Sequence, residues 1–212
     1  MGTDKTQDWA EPLAELPTPW PHLKPLLHLR EGHLVGIGMP AESLEASMGR
    51  DLARHVADHG AHVLLYATQQ QTPERIPNLT QISRARITAQ LIRDQVSSFS
   101  HTGRPIGLVV LEGFSQLHAD DDTPLTQPEE AEEAARRLKM LAAGVAIVVT
   151  IPIRRPKPAE EPLRLADLGL AAELLYHADT LALLERTAPD NIDVLIAKDR
   201  HGPAPYKTTL PW

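Results

Sequence analysis

The chain is 212 residues long, with a formal charge of −7 and a pI near 5.8. That is enough for one α/β domain with its own core, and too acidic for a surface that is basic overall. It has no cysteine, which removes disulfides, thiolate-bound zinc, iron–sulfur clusters and thiol catalysis. No apolar run reaches membrane-spanning length and the acidic, proline-containing start is not a signal peptide, so no membrane contact and a cytoplasmic location are expected. The excess of arginine over lysine suits a GC-rich bacterial genome.

Residues 1–14 are polar and aperiodic, which predicts a flexible tail ahead of one domain over 15–212. Leu16-Pro17-Thr18-Pro19-Trp20-Pro21 is too rich in proline for helix or central strand and should lie extended, anchored by Trp20. His33 to Ile37 reads as a buried strand, and Gly36, Gly38 and Pro40 as the turn after it. From Ser43, a candidate N-cap, the apolar residues Leu44, Met48, Leu52 and Val56 recur every four positions up to a stop at Gly60. Ala61 to Tyr66 predicts a second strand, Thr68 to Asn78 a polar connection, and Thr80 to Ser98 a helix carrying Ile82, Ile87, Leu91, Ile92 and Val96. Ile106 to Leu111 predicts a third strand with Glu112 at its carboxyl end, where open parallel sheets bind ligands.

Asp120 to Pro128 reads as a loop, Glu129 to Ala142 as a helix whose acidic start and basic end match the helix dipole, and Val145 to Ile151 as a fourth strand. Pro152 to Pro162, with Arg154, Arg155 and Lys157 among four prolines, predicts an irregular basic loop. A short helix over Leu165 to Tyr176, a strand over Thr180 to Glu185 and a hairpin from Asp193–Lys198 to Tyr206–Leu210 complete the chain. Strands alternating with helices imply an α/β fold with a mainly parallel sheet covered on both faces.

Gly32 to Gly60 has the layout of a phosphate-binding element: a strand, a small-residue turn and a helix N-terminus. Its chemistry disagrees. Gly-Lys-Ser/Thr is missing, and Glu42 and Glu45 would repel phosphates near a helix start. Gly38, Pro40 and Ser43 are then the remnant of a nucleotide pocket.

Several segments in order resemble the C-terminal, RecA-like motor domain of DnaB-type replicative DNA helicases. They are Leu16-Pro17-Thr18 with Trp20 and Leu23, Gly32-His33-Leu34-Val35 with Pro40, Leu108 to Glu112 with Gln116-Leu117, and Ala135 to Ala142. Asp167-Leu168, Ala178-Asp179 and, most specific, Ile196-Ala197-Lys198-Asp199-Arg200-His201-Gly202-Pro203 follow. The resemblance implies a P-loop-type three-layer fold ending in a β-hairpin. It places Leu44 at the phosphate lysine, Glu45 at the Mg²⁺-binding hydroxyl, Gln69 at the catalytic glutamate, Glu112 at the Walker B aspartate and Pro152 at the sensor glutamine. A rival register sets Ser47-Met48-Gly49-Arg50-Asp51 against Ser-Met-Gly-Lys-Thr.

Lys198 and Arg200 match the basic pair that the family inserts into a neighbouring subunit's site, where an arginine finger is worth roughly 10³–10⁵ in rate. A turn kept for Gly202-Pro203, with two solvated charges, is the simpler account. Arg154, Arg155 and Lys157 stand at the family's DNA-contacting loop, beside Glu160 and Glu161. The resemblance therefore implies an ATPase-deficient binding or assembly module in DNA replication or mobile-element maintenance. Its expected partners are a second copy or a helicase or other RecA-like ATPase, with DNA a weaker one, and ATP with Mg²⁺ is a cofactor only if the pocket still binds. The alternatives are a divergent ATP-binding helicase subunit and a dinucleotide-binding protein.

No stretch reads as the family's N-terminal primase-interacting helical domain, so monomer, dimer and hexamer stay equally open. Gly36-x-Gly38-x-x-Ala41 mimics a dinucleotide fingerprint, but Gln69 or Gln70 stands where its acid belongs. His55, Asp58, His59 and His62 do not complete a tetrahedral set, and Asp120-Asp121-Asp122 reads as a solvated loop, so no metal site is expected.

Overall fold

A computed structural model describes residues 15–41, 47–67, 76–84, 86–119, 125–154 and 162–212. Its centre is an eight-stranded sheet in the order β10-β9-β8-β1-β7-β5-β2-β3. The strands are β1 (Leu34–Pro40), β2 (His62–Ala67), β3 (Leu79–Ser83), β5 (Ile106–Glu112), β7 (Ala146–Ile153), β8 (Thr180–Ala188), β9 (Asn191–Asp199) and β10 (Tyr206–Pro211). From β8 to β3 all pairings are parallel, while β9 and β10 add an antiparallel hairpin beyond β8. A second sheet of two short strands pairs β4 (Ile87–Thr88) with β6 (Leu117–His118).

Side-chain alternation along β1 divides the core. Val35, Ile37 and Met39 face α2 (Met48–Asp58) and the short α1 (Lys24–Leu27), together with Leu52, Val56, Val63, Leu65, Leu108 and Val110. Leu34 faces the other layer with Leu64, Val109, Ile147 and Val149, under α3 (Ala89–His101), α4 (Gln127–Leu141), a 3-10 stretch over Leu165–Glu173 and α5 (Leu174–His177). These inner strands are fully buried on both faces, which is why they read as continuous apolar runs. Capping fixes two of the helix starts. Thr88 Oγ1 accepts from Leu91 N at 3.2 Å ahead of α3, and Thr126 N donates to Glu129 Oε2 at 2.8 Å in a capping box ahead of α4.

Three expectations are corrected. Gly36 and Gly38 do not form a turn, because β1 runs through both to Pro40. Their bare Cα atoms admit neighbouring leucines: a Cβ on Gly36 would lie 2.7 Å from Leu181 Cδ1, and one on Gly38 2.6 Å from Leu183 Cδ2. The helix predicted over Thr80–Ser98 begins only at Ala89, since Leu79–Ser83 pairs with β2 as an edge strand that puts Leu79 and Ile82 in opposite layers.

Pro152 belongs to β7 rather than to an irregular loop. Gly113 N bonds Thr150 O and Ala41 N bonds Ile153 O, so residues of β7 alternately face β5 and β1. The nitrogen of Pro152 therefore faces a side on which β5 has already ended, and no ladder bond is lost. The described part of α2 starts at Met48 behind Ser47, and the predicted cap at Ser43 lies outside the described residues.

Trp20 is an anchor as expected, stacked on Trp212 with ring centroids 6.1 Å apart. Among the described residues no helix is long and apolar enough to cross a membrane.

Candidate functional site

The site is built where α2 meets the carboxyl ends of β5 and β7. Gly49, in the first turn of α2, lets the helix settle onto the sheet: a Cβ there would stand 2.9 Å from Thr150 Cγ2 and 3.2 Å from Val110 Cγ1. The close approach brings Arg50 over the last residue of β5. Arg50 Nη2 donates to Glu112 Oε2 at 3.0 Å, with the two side chains only 16% and 10% exposed. Beside it, Ser47 Oγ donates to Asp51 Oδ2 at 2.6 Å. The rival register thus supplies the residue that faces Glu112. The charge of Arg50 is matched by the Glu112 carboxylate.

Of the other predicted residues, Gly38 lies inside β1 against Leu183 and Leu168, and Pro40 ends that strand opposite Ile153. A fingerprint turn at Gly36–Ala41 has no place there, because the glycines are inside a strand. Arg154 follows β7 and is exposed. Ser43, Leu44, Glu45, Gln69, Arg155 and Lys157 lie outside the described residues, as do Asp120–Asp122. On the α4 side of the same edge a cleft of about 430 Å³ includes Phe114, Leu117, His118, Glu130, Ile151 and Leu168 in its lining. His118 Nδ1 lies 2.9 Å from Glu130 Oε1 there, and the described lining has no lysine or arginine to offer a phosphate.

Lys198 and Arg200 lie at the other end of the sheet, by the amino ends of β1 and β8. Four inter-strand spacings separate β9 from β5, so the basic pair is roughly 19 Å from Glu112. Sequence reasoning missed what holds them. Asp179, 2% exposed, accepts from Leu34 N at 2.8 Å and Lys139 Nζ at 2.6 Å through Oδ2, while Oδ1 lies 3.2 Å from Arg200 Nε. Arg200 N also donates to Asp179 O at 2.8 Å. Burial alone would raise the Asp179 carboxyl, but the hydrogen bonds from Lys139 and Leu34 and the charges of Lys139 and Arg200 outweigh it and hold it below the usual range.

Lys198 Nζ donates to Tyr176 O at 3.0 Å, and burial, followed by repulsion from Arg200, lowers its pKa. Both basic residues are thus held by their own chain. Lys139, in Ala135 to Ala142, and Asp179, in Ala178-Asp179, stood in separate segments of the resemblance, and a contact across 40 residues has no local signature. Among the described residues no group of three or more metal-ligating side chains comes together.

No model of a known protein family matches the chain, and no curated protein matches it in sequence. In structure it is similar to the ATPase domain of G40P, with a TM-score of 0.78 at 14% identity over 96% of this chain and 89% of that one. It is also similar to a structure of a DnaB-like replicative helicase and its interactions with primase, with a TM-score of 0.75 at 14% identity over 95% of this chain. The match spans 62% of that helicase chain, under two thirds of its length. The fold is therefore the RecA-like α/β fold of DnaB-like ATPase domains, with its C-terminal antiparallel hairpin.

Proposed function

We propose that this chain is an ATPase-deficient RecA-fold module that works through contacts, with a second copy or with a helicase or other RecA-like ATPase, in DNA replication or mobile-element maintenance. The observation that carries this reading is the Arg50–Glu112 ion pair. A hydrolytic site needs its cation for phosphate and its carboxylate for metal, and here the two neutralise each other in a mostly buried position. Breaking a buried pair costs roughly 3–5 kcal/mol, which would weaken a phosphate ligand by about two to four orders of magnitude.

Equilibrium binding of a fluorescent ATP analogue, with and without Mg²⁺, tests the reading. Binding weaker than millimolar is expected, and micromolar binding would overturn it in favour of a divergent ATP-binding helicase subunit. Two double substitutions then separate the registers. Arg50→Lys with Asp51→Thr should recover Mg²⁺-dependent binding if the pocket follows Ser47–Asp51, and Leu44→Lys with Glu45→Thr should do so if it follows the other.

The position of Lys198 and Arg200, remote from Glu112, supports a role toward another subunit's site. Sedimentation of the protein alone and with a candidate ATPase checks this, and Arg200→Ala should reduce any stimulation of that partner's hydrolysis.

A further inference from the structure

The turn between β9 and β10 carries a group of histidines that the reading above does not use. His33, just ahead of β1, is 6% exposed. The exposed ring of His201 lies flat over it, with centroids 4.7 Å apart and planes 8° from parallel. His28 approaches His201 edge-on at 6.1 Å. Arg30 Nε donates to His33 Nε2 at 2.9 Å, so that nitrogen is unprotonated and the ring is neutral, with its other nitrogen buried and unpartnered.

We propose that His201 is a proton-sensitive cover over His33, which holds the β9–β10 turn against residues 28–33 at neutral pH and lifts when histidines take up protons. The groups around it set the sign. Arg30, Lys139 and the adjacent Arg200 are cationic, and a protonated His201 would add a charge to this basic surround. Three carboxylates oppose them. Asp179 is already engaged by Lys139, Arg200 and Leu34 N. Asp199 accepts from His201 N at 2.8 Å and lies 3.9 Å from His28 Nε2, and Glu15 lies 3.7 Å from His28 Nδ1.

His28 lies between two of these carboxylates, Glu15 and Asp199. A proton on His201 adds a cation beside Arg30, Lys139 and Arg200, while its exposed ring has solvent to turn into. His33 cannot share that proton without giving up its bond from Arg30. The cover therefore leaves, and with it loosens the turn that holds Arg200; the device stands on this geometry whether or not Arg200 serves a partner.

Amide exchange of Arg200 and His201, read by NMR as protection over the intrinsic rate, tests this between about pH 7.5 and about pH 5.5, either side of the histidine range. Protection should fall as pH drops, by up to about tenfold per pH unit between the His201 midpoint of the opened turn and that of the closed one, the limit for one linked proton, and level off below the closed one. His201→Phe, which can stack but cannot titrate, should keep the turn protected at both values. Unchanged protection in the natural protein, or a fall that persists in His201→Phe, would overturn the proposal. Should that variant not fold, different midpoints for the His201 ring and the Arg200 amide in the natural protein would do the same.

Discussion

At the scale of single residues the chain concentrates its electrostatics in a few buried or half-buried groups, and each has a measurable signature. Removing the carboxylate in Glu112→Gln takes the Oε2 ion-pair partner from the mostly buried Arg50 guanidinium, and should cost about 3 kcal/mol in urea unfolding. The double variant Arg50→Met/Glu112→Gln should lose much less than the sum of the single losses, because no uncompensated charge remains. A double-mutant cycle with no coupling would show that the pair does not act as a unit.

His33 gives a pH dependence of definite sign. Burial, reinforced by Arg30, lowers its pKa from 6.5 to about 4. The unfolded chain therefore binds a proton that the folded one refuses as pH falls below 6.5. Stability should drop across that window and level off below the folded value. By about pH 5 the loss from this group alone is about 2 kcal/mol, and His33→Gln should remove that part of the acid sensitivity.

At the scale of elements, β1 is packed by absence. Gly36 and Gly38 make room for Leu181, Leu183, Leu168 and Leu174, so the strand that would feed a phosphate loop is pressed against β8 and the 165–177 layer. Gly38→Ala should destabilise the protein by roughly 1–3 kcal/mol through overpacking, and Leu183→Val in the same chain should recover part of it, as thermal unfolding would show.

The same strand shows what the sequence makes legible. Apolar runs announced β1, β2, β5, β7 and β8, and the turn around Asp199–Pro205 announced the final hairpin, because inner strands and turn residues carry their signals locally. Leu79–Ser83 did not announce itself. Its five residues alternate too briefly, and Ile82 and Ile87 happened to fall in phase with the true helix that begins at Ala89. Glycines that look like a turn in a sequence can also be spaces for leucines, and which they are depends on β8, some 145 residues away. The site was legible only in part for the same reason: Glu112 stood out at a strand end, whereas its partner lies 62 residues earlier.

At the scale of the whole molecule, the segment before α1 and the last strand are tied together. Trp20 stacks on Trp212, and Arg186 lies 5.4 Å above the Trp212 ring. Trp212→Ala should cost about 1–2 kcal/mol from the lost aromatic and cation–π contacts. It should also make the Leu16–Pro21 segment cleavable by protease under conditions where the intact protein resists. Equal resistance in both proteins would mean that the hydrogen bond from Leu16 N to Leu29 O and the buried Leu23 and Leu27 hold the segment without the stack.

The placement of Lys198 and Arg200 four strands away from Glu112 also decides which symmetries are open to the molecule. A contact that carries the basic pair of one copy to the carboxyl edge of the next is made twice across a two-fold axis where both surfaces fall in one self-complementary patch; where they do not, it runs head to tail. Each added copy leaves one of each surface unmatched, until a ring closes or a filament grows. A mass distribution that stops at two subunits would therefore mean a reciprocal contact, and one that runs past two a head-to-tail contact.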